Sequence, residues 1–140
     1  MMYTYFETMA DIGIIAVGTN LEESFQNSAK GLFNLMVDVH KIQKFEKRYF
    51  ELESDDLEGL LYDFLTELLI LHDSEALVFS EFDIEIIKKN EGYFLKCSSN
   101  GDFFTIDKYE PKEEVKAITY HRMNISNENE VWKVEFIVDL

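Results

Sequence analysis

The stretch DDLEGLLYDFLTELLILHDSEALVFSEFDIEII, residues 55–87, decides the fold. Its first half is helical by period, because Leu57, Leu60, Leu61, Phe64, Leu65, Leu68, Leu69 and Leu71 recur on one face. Asp55 with Glu58 three residues on forms a capping pattern, and His72-Asp73 closes the helix, the histidine suited to the negative end of its dipole. The second half switches to a period of two. Leu77 and Phe79 are apolar at odd positions, whereas Phe82, Ile84 and Ile86 are apolar at even ones. That change of parity predicts a bulge or bend near residues 80–81.

Upstream, residues 10–17 read as a short β-branched strand ending at Gly18, followed by a helix that Asn20 caps with Glu23. Leu21, Phe25, Ala29, Leu32, Phe33 and Met36 give that helix one buried stripe, and residues 45–53 read as a second strand. Downstream, Asn90-Glu91-Gly92 marks a turn and Asn100-Gly101 signals a type I′ hairpin, so residues 77–107 are expected to form a three-stranded meander. Pro111 breaks the chain. Two last strands, 115–125 and 131–140, are joined by the polar loop 127–130. The expected fold is α+β, two helices packed on a mostly antiparallel β-sheet, in a single domain spanning residues 1–140.

A chain of 140 residues can bury roughly two-thirds of its unfolded surface, enough for a proper core. The formal net charge is -15, from 28 acids against 13 bases, which argues against direct binding to nucleic acid. All twelve charged residues from Glu51 to Glu85 are acids, a block that reads as a solvated face or as a docking surface for a basic protein. The lone Cys97 excludes an intrachain disulfide and fits a reducing compartment, with cytoplasmic placement expected. No secretion signal or membrane span is visible, since Glu58, Asp63 and Glu67 interrupt the most apolar stretch.

Familiar catalytic signatures are missing: no glycine-rich phosphate loop, no nucleophile elbow, and three histidines, His40, His72 and His121, spaced too far apart for a helical zinc pair. Two carboxylates stand out. Asp11 sits among Ala10, Ile12 and Ile14, a costly place for a charge without a partner. Asp139 lies on the strand face opposite Trp132, Val134, Phe136 and Val138, next to the carboxylate of Leu140. If the first and last strands are neighbours, Asp11, Asp139 and Leu140 converge as three anionic oxygen donors, which suits calcium, magnesium or manganese. The structural alternative is that Asp11 bonds backbone amides or pairs with Lys116, while the last residues are solvated.

At these residues the chain resembles the archease family, small accessory proteins of tRNA splicing. The resemblance rests on Thr8-Met9-Ala10-Asp11-Ile12-Gly13, Leu21-Glu22-Glu23-Ser24-Phe25, the second-helix leucines, Val115-Lys116-Ala117-Ile118-Thr119-Tyr120-His121, and Val138-Asp139-Leu140. It implies a protein cofactor rather than an enzyme, whose partner is the tRNA-splicing RNA ligase. It implies promotion of guanylylation of the ligase's active-site histidine, support of multiple turnover and broader nucleotide use. It also implies a divalent-cation site, calcium foremost, at Asp11, Asp139 and Leu140. One departure stands in the first motif, where Thr8 and Met9 replace the family's histidine and threonine. Two other readings compete: a small metal-dependent hydrolase acting on nucleotides or RNA ends, and a chaperone-like binding module.

Overall fold

Helix formation is dictated by caps and stripes. In a computed structural model describing residues 2–140, α1 spans Leu21–Met36 and α2 spans Leu57–Glu75. Asn20 caps α1 by accepting from the Glu23 amide at 2.8 Å, and Glu23 reaches back to the Thr19 amide. The cap of α2 is Asp56, one residue later than its sequence suggests, accepting from the Gly59 amide at 2.7 Å. The helix also runs past His72 to Glu75, where Ala76 takes the left-handed conformation (φ 58°) that ends it. No helix among the described residues is long and apolar enough to cross a membrane.

The fold is the expected α+β arrangement of two helices on antiparallel strands; among the described residues seven strands form it, divided into two sheets. One has β1 (Tyr3–Glu7), β2 (Asp11–Gly18), β7 (Val131–Asp139) and β6 (Ala117–Glu128), in that order. The other has β3 (Glu46–Ser54), β5 (Tyr93–Phe103) and β4 (Leu77–Lys88). Both helices bridge the sheets, α1 lying against β2 and β4 and α2 against β6 and β3. Between them sits a core rich in phenylalanine: Phe25 stacks on Phe64 across the helices, and Phe33 meets Phe79 edge-on, all fully buried.

The bulge expected near residues 80–81 is present, as the β4–β5 register shifts between Phe79 and Glu81. The hairpin expected at Asn100-Gly101 is not, and residues 77–107 hold two strands instead of three. Gly101 lies inside β5, where a Cβ would fall 1.9 Å from the Val78 carbonyl oxygen beside the bulge. The glycine is therefore there for close backbone approach, not for a turn. The I′ geometry appears in the β6–β7 hairpin instead, where Asn129 and Glu130 both have positive φ (52° and 64°) without any glycine.

After β5 the chain crosses from one sheet to the other through residues 104–116. Its amides at Lys112 and Glu113 donate to Met36 and Leu35 carbonyls at the end of α1. A buried cluster anchors its start. Asp102, 3% exposed, accepts from the Tyr109 hydroxyl at 2.7 Å, the Lys108 ammonium at 3.2 Å and the Phe103 amide at 2.9 Å.

Candidate metal centre

The sheet brings the two sequence-selected aspartates together. β2 and β7 are antiparallel neighbours, and Asp11 stands directly opposite Asp139 in their register. Residues paired in this way project from the same face with Cβ atoms roughly 4.5–5.5 Å apart. Asp139 is also opposite Ala117 on β6, so it occupies a middle strand, with Asp11 on one side and a small residue on the other. Ile12, Ile14 and Ala16 alternate inward, and so do Val134, Phe136 and Val138. Asp11 thus lies on the outer face of the sheet, half-buried, rather than within the apolar layer its sequence neighbours suggest.

Backbone contacts fix this end of the sheet. The Thr8 amide and hydroxyl both donate to the Asp11 carbonyl, at 3.2 and 3.3 Å, and close the β1–β2 turn. The Lys116 amide donates to the Asp139 carbonyl at 2.8 Å. Leu140 packs its side chain against the edge of the core, which ties the residue after Asp139 to the fold. On the same outer face Phe6 covers Gly13, where a Cβ would sit 2.0 Å from the ring.

Among the described residues, neither the Asp11 nor the Asp139 side chain has a hydrogen bond or an ion pair. Lys116, the expected alternative partner, reaches them only through its backbone. Two like charges facing each other across strands repel, by roughly 0.2–1 kcal/mol at a partly solvated sheet surface. Among the described residues, no hydrogen bond or ion pair to either side chain offsets this. A hard divalent cation fits such a donor set, because it supplies the missing positive charge and accepts carboxylate oxygens. No third His, Cys, Asp or Glu side chain joins them among the described residues, and Leu140 follows directly after Asp139.

The remaining candidates stay apart. His72 Nδ1 lies 2.8 Å from the Leu77 carbonyl at the end of α2, a structural contact. Cys97 is fully buried in β5, and burial pushes its thiol up to about 11 despite the nearby Ser99 hydroxyl, so it is protonated and a poor nucleophile. Sequence reasoning missed two features: the Asp102 cluster, and a detour in β6 at residues 120–123. The first depends on the turn after β5 that folds Lys108 and Tyr109 back onto Asp102, the second on pairing with the neighbouring strand, and neither carries a recognisable sequence signature.

The model of the archease protein family (MTH1598/TM1083) matches residues 3–140. The protein archease of Thermococcus gammatolerans is 48% identical over 139 residues, covering 99% of this chain and 98% of that protein. The archease of Sulfurisphaera tokodaii is 40% identical over 138 residues, with the same shares covered. A solution structure of protein 1598 from Methanobacterium thermoautotrophicum superposes with a TM-score of 0.88 at 38% identity, covering 99% of both chains. A Thermotoga maritima crystal structure described as an archease, possible chaperone, shares the fold with a TM-score of 0.64 at 21% identity, over 96% of this chain and 94% of that one. Family model, relatives and fold agree over nearly the whole length, and the chain belongs to the archease protein family.

Proposed function

We propose that this protein is a non-enzymatic cofactor of the tRNA-splicing RNA ligase, working in the cytoplasm. It promotes guanylylation of the ligase's active-site histidine, sustains multiple turnover and broadens nucleotide use. The observation that supports this reading best is the Asp11–Asp139 pair, in register and, among the described residues, without a side-chain partner. Family membership supplies the functional context. In this reading Asp11 and Asp139, with the Leu140 carboxylate, hold a divalent cation: calcium, magnesium or manganese. Once bound, the ion supplies positive charge able to orient phosphate oxygens at the ligase's active site. Asp139, flanked by β2 and β6, gives the site its rigid member. Thr8 fixes the turn that presents Asp11, through contacts to its carbonyl. This chain itself performs no bond-making step.

The test is a guanylylation assay with purified ligase, GTP and either wild-type protein or Asp11→Ala and Asp139→Ala. Both variants are expected to stay folded and to lose stimulation by tenfold or more. Residues appended after Leu140 are expected to impair stimulation as well. Full stimulation by the two alanine variants would reject the site. Hydrolysis of GTP or of cyclic-phosphate RNA by the protein alone would favour the hydrolase reading over the cofactor.

A further inference from the structure

The detour in β6 builds a second feature, separate from the aspartate pair. Between Thr119↔Ile137 and Asn124↔Glu135 the register skips, leaving four residues of β6 opposite Phe136 alone. Arg122 adopts the left-handed conformation there (φ 59°). Its guanidinium is held 4.9 Å from the Phe6 ring and 3.3 Å from Glu135. The detour brings Tyr120 onto α2, where it stacks on Tyr62 with ring centroids 4.2 Å apart and planes within 7°. Tyr120 nevertheless stays 55% exposed, so the stack presents open aromatic surface.

Negative charge surrounds these rings. Besides burial, Asp63 and Asp56 of the α2 segment raise the Tyr120 phenol, together with Tyr62. Among the described residues, no ion pair engages Asp55, Asp56, Glu58, Asp63 or Glu67, whereas Glu75 at the far end pairs with Arg48. On the three-stranded sheet Glu53, Glu81 and Glu85 pair with Lys89, Lys44 and Lys96, and Glu51 and Asp83 are the acids left without an ion pair among the described residues. The acidic block of the sequence therefore divides into a sheet face mostly paired with lysines and a helix face that, short of Glu75, has no ion pair among the described residues and carries an exposed tyrosine stack.

We propose that the α2 face around Tyr62, Tyr120 and Asp63 docks a basic segment of a partner protein by receiving an arginine side chain. A guanidinium can lie on the open tyrosine surface while its edge meets a carboxylate, an arrangement that uses both features at once. Nucleic acid would meet only like charge on this face. This inference does not depend on the cation site.

The test is an NMR titration of the full chain with the peptide Gly-Arg-Gly-Arg-Gly and with its citrulline counterpart, which keeps the shape but lacks the charge. The Tyr62 and Tyr120 ring signals are expected to shift saturably with the arginine peptide, at least fivefold more tightly than with citrulline. Tyr120→Ala and Asp63→Asn are each expected to weaken that binding fivefold or more. Asp63→Asn changes a solvent-facing group and leaves the stack in place, so it guards against misfolding of the alanine variant. Unchanged affinity in Asp63→Asn, equal binding of the two peptides, or shifts spread evenly over the acidic sheet face would each overturn the proposal.

Discussion

Asp102 and the Asp11–Asp139 pair are all strand carboxylates, yet the fold treats them in opposite ways. Asp102 is buried and takes three donors, from Tyr109, Lys108 and the Phe103 amide. Burial alone would raise its pKa, but the hydrogen bonds from Tyr109 and Lys108 and the lysine's charge outweigh this and hold it below the usual carboxylate range. Asp11 and Asp139 face each other at the sheet's end with no side-chain donor among the described residues. A carboxylate that serves the fold is surrounded by donors. One left bare against a like charge costs stability, which makes it the better candidate for a ligand yet to arrive.

The contrast breaks first at Asp102. Asp102→Ala removes the acceptor of the Tyr109 hydroxyl, leaving it only the Gln43 amide as a partner, and loosens the crossover, and is expected to cost about 2–4 kcal/mol in urea unfolding. Acid should act in the same direction. With the folded pKa below the unfolded one, the unfolded chain takes up the proton first. The contribution of Asp102 is therefore complete above about pH 4 and is lost as pH falls through the lower folded value. An Asp102→Ala variant should show a flatter loss of stability below that pH than wild type, and identical slopes would contradict the role assigned here.

Next comes the cation. A site of this kind stabilises the folded state by about 2.7 kcal/mol at a hundredfold excess of ion over its dissociation constant. Calcium, magnesium or manganese should raise the melting temperature of wild type by several degrees and leave Asp139→Asn unmoved. An equal shift in both would place any bound ion elsewhere. The smallest effect sharpens the comparison most. In the presence of chelator, Asp139→Asn removes the repulsion across β2 and β7 and is expected to stabilise the protein by roughly 0.2–1 kcal/mol. Destabilisation under chelator would mean that Asp139 serves the fold much as Asp102 does.

The sequence made the helices, the β4 bulge and the inward face of β7 legible, because each is written in local periodicity. Asn20 and Glu23 announced α1, and the parity switch at Phe79 announced the bulge. Asn100-Gly101 misled for a physical reason, since glycine answers equally to a turn and to a carbonyl at close range. β1 is not legible in the sequence, because in Tyr3-Thr4-Tyr5-Phe6-Glu7 neither residue type nor burial alternates. The pairing of Asp11 with Asp139 was legible only on condition that their strands are neighbours, a fact of topology. Tyr120's stacking on Tyr62 was beyond reach, because it follows from a detour of β6 that no residue of the segment, glycine-free as it is, announces.

Crystals grown with manganese test the account most directly, through the anomalous scattering of the ion. The account predicts one strong peak per chain, with oxygen ligands from Asp11, Asp139 and the Leu140 carboxylate at distances near 2.2 Å, and its loss in Asp139→Asn. A map with no peak between β2 and β7, or a peak that persists in that variant, would contradict it.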